Sequence, residues 1–353
     1  MASSPSLSND FIDSAAFAPW LSTHAPMLGD GSLTISRLTG GSSNTMALIS
    51  RGDQRAVLRM PARPPRADSL KALEREARLL KALAGSNVPH PELIAYCSNA
   101  DLLGAPFILM SFVDGWMNFD DAPAPAPFDR PGEPRRGLAF AMIDALATLR
   151  GLDYVAAGLS DFGKPEGFLT RQVPRYLKLI ESYKESENHP GRDIPGMAYV
   201  TDWLQDNTPP MSAITLIHGD LGFPNILFER TPPPRVAAMI DWEVATIGDP
   251  LLDLGRTIFS FPGRRVGDGK SRFGDLSDYP TREDLAERYA DRTGADISTI
   301  DYYCVLSMFK LAALIEWNYA RAVNGRDSNG MAQKIADHVV DMIGVAERMA
   351  RAA

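Results

Sequence analysis

Two short stretches constrain this chain more than any other feature. Ile217-His218-Gly219-Asp220-Leu221-Gly222-Phe223-Pro224-Asn225-Ile226-Leu227-Phe228 is an apolar run of strand type interrupted by polar groups, and Met239-Ile240-Asp241-Trp242-Glu243 answers it further along. Asp and Asn at such points also serve as turn formers through their own side chains, a role that needs no chemistry. The types present are nevertheless those needed to move a phosphoryl group. A base must sit close enough to an acceptor hydroxyl to take its proton as the new P–O bond forms, and a nearby carbonyl oxygen can hold the metal that bridges the phosphates. Asp220 and Asn225 can supply both from one loop. Asp241 adds a carboxylate of the kind a hard divalent ion favours, and its charge offsets that of the metal.

The spacing has a known counterpart. The protein-kinase catalytic loop runs His-Arg-Asp, then four residues, then Asn, with a second metal-binding Asp after the next strand. His218-Gly219-Asp220, Asn225, Ile240-Asp241-Trp242-Glu243 and Gly248-Asp249-Pro250 together resemble the aminoglycoside phosphotransferase and choline kinase group of kinase-like small-molecule phosphotransferases. The branch most similar is that of the kinase domains fused to certain acyl-CoA dehydrogenases, with matching motifs from about residue 35 to about residue 255. The resemblance implies ATP and Mg²⁺ as cofactors and a small molecule bearing a hydroxyl as acceptor. Asp220 would be the base, Asn225 and Asp241 the metal ligands, and His218 a brace for the loop.

With 36 Lys plus Arg against 44 Asp plus Glu, the formal net charge is -8. That balance speaks against a general nucleic-acid or anionic-membrane binder. The two cysteines, Cys97 and Cys304, are far apart and flanked by apolar residues, which predicts buried reduced thiols. Residues 1–26 form an N-terminal arm with no basic segment leading into an apolar core, so no secretory signal is expected and a cytoplasmic location is. No run is long enough and free enough of charge to span a membrane.

From Leu33 to Leu38 apolar and polar residues alternate, small residues interrupt at Thr39–Thr45, and the pattern resumes at Met46–Ser50. This predicts a hairpin whose loop, including Gly41, Ser42, Ser43 and Asn44, can offer backbone N–H groups to phosphate oxygens. Ala56–Met60 is a further strand. Its Arg59 stands where protein kinases place a phosphate-holding lysine, a departure because the planar guanidinium engages oxyanions in a different geometry. Leu70, Leu73, Ala77 and Leu80 form one apolar stripe of a helix over 69–83. Glu74 and Glu76 lie on opposite flanks of that stripe, and periodicity does not choose between them. The resemblance favours Glu76 as the partner of Arg59.

Leu93–Cys97 and Pro106–Val113 complete a small sheet, and Asp114-Gly115 ends it with a turn signal. The resemblance puts adenine against the backbone near Met110 to Phe112, with Leu227 and Ile240 as apolar neighbours. Beyond this point helices are predicted at Arg136–Leu152, from about Phe168 to Tyr183, and at Thr281–Thr293, Ile297–Val323 and Ser328–Arg351. Asp161-Phe162-Gly163 imitates a kinase metal motif but precedes the catalytic loop, the wrong order for that role. Arg171, Gln172 and Arg175, in a stretch the similar kinases share, are candidates for contact with an anionic acceptor. Asp249 is placed to cap a helix beginning at Pro250.

These readings combine into a bilobal protein-kinase-like α+β fold. Residues 1–114 would form an antiparallel-sheet nucleotide-binding lobe, and residues 115–353 a mostly helical catalytic and acceptor-binding lobe. The function expected is transfer of the γ-phosphoryl group of ATP to a hydroxyl, with a hydroxyacyl-CoA as the acceptor the resemblance suggests. An antibiotic kinase is an alternative, to be told apart by its cationic acceptor, and so is a nucleotide-binding pseudokinase, to be told apart by binding without turnover. Oligomeric state is not visible in the sequence.

Overall fold

Alternating apolar residues between Leu33 and Pro61 build three antiparallel strands, β1 (Leu33–Leu38), β2 (Asn44–Arg51) and β3 (Gln54–Pro61), in a computed structural model of the chain. The structure describes residues 12–38, 44–62, 64–65, 67–118, 124–186, 191–264, 276, 278–326 and 331–353. They fall into two units. The first comprises the described residues up to Asp114 together with Ala237–Glu243, and the second comprises Gly115–Val236 and Val244–Ala353.

In the first unit β4 (Leu93–Cys97) and β5 (Phe107–Ser111) extend the sheet to the order β1-β2-β3-β5-β4, antiparallel throughout. Side chains alternate between faces of a strand. One face therefore collects Ala47, Ile49, Ala56, Leu58, Met60, Phe107 and Leu109, which share a buried core with Phe17 and Leu21 of α1 (Ser14–His24). Phe17 and Trp20 meet the Phe107 ring edge-on, with centroids 5.6 and 4.8 Å away. Asp13 starts α1 by accepting from the N–H groups of Ala15 and Ala16. Arg59, one position from Leu58 and Met60, points to the opposite face, toward α2 (Ala67–Leu83). Leu73, Ala77 and Leu80 of the predicted stripe are buried there, and so is Glu76. A single turn, α3 (Ala100–Leu103), joins β4 to β5. The segment β8 (Val236–Met239) ends in this unit, where Met239 N–H donates to Pro89 O and the Trp242 indole donates to Met239 O.

The second unit is helical. It contains α4 (Glu133–Arg150), α5 (Gln172–Ser186), α6 (Met197–Asp206), α7 (Pro250–Ile258), α8 (Arg282–Thr293), α9 (Ile300–Arg321) and α10 (Met331–Ala352). It also contains the short antiparallel pair β6 (Thr215–Ile217) and β9 (Thr246–Gly248), and the strand β7 (Ile226–Phe228). The helix α9 packs against α5, α7 and α10, and Tyr303, Val305, Leu306, Phe309 and Ala312 are buried along it. α7 crosses it at Gly255, where a Cβ would stand 2.6 Å from the Tyr303 carbonyl carbon, so only glycine allows this approach. Buried Glu316 on α9 receives both arms of the Arg192 guanidinium at 2.9 Å. No helix among the described residues is long and apolar enough to cross a membrane.

Cys97 and Cys304 are free and buried, as the sequence predicts, and burial pushes the Cys304 thiol up to about 12. Two helices, α3 and α6, were not foreseen in the sequence. Both are short, and α6 starts after Gly196 in the left-handed region with no side-chain cap to mark it.

Candidate active site

Arg59 is the hub of the first unit's polar groups. Its Nη1 lies 3.0 Å from Glu76 Oε1, and its Nη2 lies 2.9 Å from both Asp241 Oδ1 and Glu243 Oε2. Glu76 is thus the partner, while Glu74 is exposed. A stripe edge that looks symmetric in one helix ceases to be so once the sheet covers one flank. Asp241 has φ 65, the sole non-glycine residue at positive φ among the described residues. Such a conformation is strained and persists where the surroundings hold the residue in place. It leaves the Asp241 side chain 42% exposed beside an arginine that is almost wholly buried.

Burial pushes the Glu76 carboxyl up to about 7, against the pull of Arg59, and the nearby charges of Asp241 and Glu243 add to the rise. The folded protein therefore holds this proton more tightly than the unfolded chain does. The stability it contributes is complete below pH 4.5, its ordinary value, and is lost as the pH rises through 7. Melting curves of the parent and of Glu76→Gln, which cannot titrate, test this. The parent is expected to lose stability relative to the variant from about pH 5 to about pH 8. A difference that stays constant over that range contradicts the assignment.

In the second unit β6 leads into the loop that carries Asp220. Gly219 has φ 86, and a Cβ there would lie 3.0 Å from Val244 O, so both backbone angle and space call for glycine. Buried Leu221 and Phe223 anchor the loop, Phe223 against the rings of Phe228, Phe261 and Tyr279. Just ahead of these anchors the Asp220 side chain is 45% exposed, and its Oδ1 accepts from Arg256 Nε at 2.8 Å. Asn225 Nδ2 donates to Asp220 O at 2.8 Å. Its amide oxygen keeps its acceptor capacity.

The helix α7 holds this loop in place. Residues four apart lie on one helix face, and Asp249, Asp253 and Thr257 follow that spacing. Asp249 caps α7 through Leu251 N–H and also accepts from Ser212 N–H, Ser212 Oγ and Tyr303 Oη. Asp253 accepts from His218 N–H at 2.6 Å and Gly219 N–H at 2.7 Å. Thr257 Oγ1 donates to Leu221 O at 3.3 Å. Asp253 is buried, which raises its pKa, while the two N–H bonds and the neighbouring His218 oppose that rise. One helix thus sets the backbone path from Ser212 to Leu221.

Of the other residues singled out in the sequence, Gly41, Ser42 and Ser43 lie outside the described residues. Asn44 opens β2 and donates to Glu243 Oε2 at 3.3 Å. Met110 is enclosed in the sheet ladder between Val57 and Leu93, and Ser111 N–H is committed to Glu92 O. Past the ladder comes Phe112, whose ring lies under the Arg55 guanidinium at 3.9 Å. Leu227 and Ile240 are half-buried beside fully buried neighbours. Arg171 and Gln172 are used locally, Arg171 on the carbonyls of Lys164 and Glu166 and Gln172 on Phe168 O. Arg175 is exposed.

Sequence reasoning passed over Glu243, Asp253 and Arg256. For Asp253 a signal existed, since it is a carboxylate inside Leu251-Leu252-Asp253-Leu254, one turn from the cap. Among the described residues no three His, Cys, Asp or Glu side chains converge as a ready-made metal cage would require.

A five-stranded antiparallel sheet followed by a helical region, with these two loops, is the α+β architecture of the kinase-like small-molecule phosphotransferases. A crystal structure from Ralstonia eutropha, provisionally assigned as an aminoglycoside phosphotransferase, superposes with a TM-score of 0.77 at 29% identity over 97% of this chain and 99% of that one. The aminoglycoside phosphotransferase APH(4)-Ia, in a ternary complex with AMP-PNP and hygromycin B, shares the fold with a TM-score of 0.57 at 15% identity, covering 93% and 99% of the two chains. The chain belongs to the phosphotransferase enzyme family, whose model matches residues 34–292. Acyl-CoA dehydrogenase family member 11 of Gallus gallus is 31% identical over 322 residues, 89% of this chain. The chain spans 40% of the length of that relative.

Proposed function

We propose that this phosphotransferase moves the γ-phosphoryl group of ATP to a hydroxyl of a small-molecule acceptor, with Asp220 as the base. The observation that carries the reading is the Asp220 loop, a half-exposed carboxylate held by Arg256 on a backbone that Asp253 fixes. Asp220 takes the acceptor's hydroxyl proton while the acceptor oxygen bonds to phosphorus and the bond to the departing ADP breaks. Asn225 and Asp241 offer oxygen donors that fit Mg²⁺, an ion that takes few protein ligands and completes its shell with phosphates and water. When bound, Mg²⁺ neutralises charge on the phosphate oxygens. Arg59 holds phosphate oxygens, and Glu76 keeps its guanidinium in position.

An acceptor of hydroxyacyl-CoA type is supported by the relatives named as acyl-CoA dehydrogenases, in which this region is a part of a longer chain. The metal assignment has its own test. Asp241→Ala is expected to weaken Mg²⁺-ATP binding by at least about tenfold in calorimetric titration, the loss of one charged ligand contact being worth roughly 1.4 kcal/mol or more. Equal affinity in the two proteins removes Asp241 from the metal site.

A further inference from the structure

Three helices of the second unit bring cations together around Asp220. Arg256 of α7 pairs with Asp220 directly at 2.8 Å. Arg175 of α5 lies with its guanidinium carbon 5.9 Å from the Tyr176 ring centroid, and Lys310 of α9 lies with its Nζ 5.5 Å from that same centroid. Tyr176 also meets Phe309 edge-on, which fastens α5 to α9 beside the two cations. The carboxylates within electrostatic reach of Lys310 are Asp220 and Asp253. Both Asp253 oxygens are taken by backbone N–H groups, and one Asp220 oxygen is taken by Arg256. Among the described residues neither Arg175 nor Lys310 makes an ion pair or a side-chain hydrogen bond.

Three cations thus face two carboxylates whose acceptor capacity is largely used, and the excess is positive. Burial pushes Lys310 down to about 8, and the neighbouring Arg175 and Arg256 push the same way against Asp253 and Asp220. Placing an ammonium group beside two guanidinium groups is costly unless an anion arrives to share them. A cationic acceptor would be repelled at this point.

Resting on the phosphotransferase reading, we infer that the acceptor carries an oxyanion, held by Arg175 and Lys310 next to the hydroxyl that Asp220 deprotonates. The oxyanion is a carboxylate or a phosphate, and both chemistries suit the same two cations. Arg175 and Lys310 are binding residues in this account, and Arg256 remains the group that orients Asp220.

The test compares acceptors of matched chain length by calorimetry in the presence of Mg²⁺ and AMP-PNP, and by transfer from ATP. Hydroxy acids carry only the carboxylate, their CoA thioesters only phosphates, and their N-acetylcysteamine thioesters neither; amino alcohols carry a cation. One of the two anionic sets is expected to bind at least about tenfold more tightly than the neutral thioesters, and whichever set it is names the source of the charge. Arg175→Ala and Lys310→Met should erase that preference without changing AMP-PNP affinity, and Lys310→Arg should restore most of it. Since Arg175 is exposed, its variant tests the idea even if Lys310→Met fails to fold. Neutral or cationic compounds binding as tightly as the anions, or no binding by any set, overturns the inference. Charge-selective binding without transfer of phosphate leaves the anion site at Arg175 and Lys310 standing and overturns the kinase reading instead.

Discussion

Asp220→Asn is expected to slow phosphoryl transfer by about 100-fold to 10,000-fold, the usual contribution of a positioned base. The fold should survive. The Asp220 side chain is 45% exposed, and it meets Arg256 and the Asn225 amide. An asparagine keeps an oxygen for Arg256 Nε but cannot take a proton. Melting temperature and nucleotide affinity should therefore stay close to those of the parent while turnover falls. Full turnover in a folded Asp220→Asn protein would remove Asp220 from the chemistry.

The second large effect is expected at Asp253, which touches no substrate in this account. Asp253→Ala leaves the N–H groups of His218 and Gly219 without their acceptor, a carboxylate that is itself buried. Each unsatisfied buried group costs about 1–3 kcal/mol, so the loss is about 2–6 kcal/mol before relief of the buried charge is counted. Part of that loss is offset, because burial already disfavours the Asp253 carboxylate. The expected outcome is a clear drop in melting temperature together with weaker turnover, since the loop carrying Asp220 loses its anchor. Asp253→Asn should fall between, because an amide can accept one of the two N–H groups but presents a donor to the other. A melting temperature equal to the parent's in both variants would contradict this role.

The legible parts of the molecule were those set by local period and by spacing. Alternation over 33–61 marked the strands, and the stripe at Leu73, Ala77 and Leu80 marked α2. Asp220, Asn225 and Asp241 stood out because polar groups broke apolar runs. What the sequence left open was settled by which flank another element covers. Glu74 and Glu76 are equivalent along a bare helix, and the choice between them appears only when β3 brings Arg59 against one side. Glu243, two residues beyond Asp241, could be read as a solvated neighbour, yet its carboxylate reaches Arg59 and Asn44. Arg256 and Lys310 lie on different helices, far from Asp220 in sequence. No period along either helix tells which charged groups the loop will meet. Only the crossing of α7 and α9, made possible at Gly255, puts them in reach of it.

The central claim is transfer of phosphate to an acceptor hydroxyl. The most direct measurement incubates the protein with Mg²⁺-ATP and a mixture of hydroxy acids, hydroxyacyl-CoAs, aminoglycosides and amino alcohols, and reads the products by mass spectrometry beside an Asp220→Ala control. The account predicts one class of acceptor gaining a phosphate, dependent on Mg²⁺ and absent in the control. ATP bound with every acceptor unchanged, or a phosphorylated product that persists at full rate in Asp220→Ala, would contradict it.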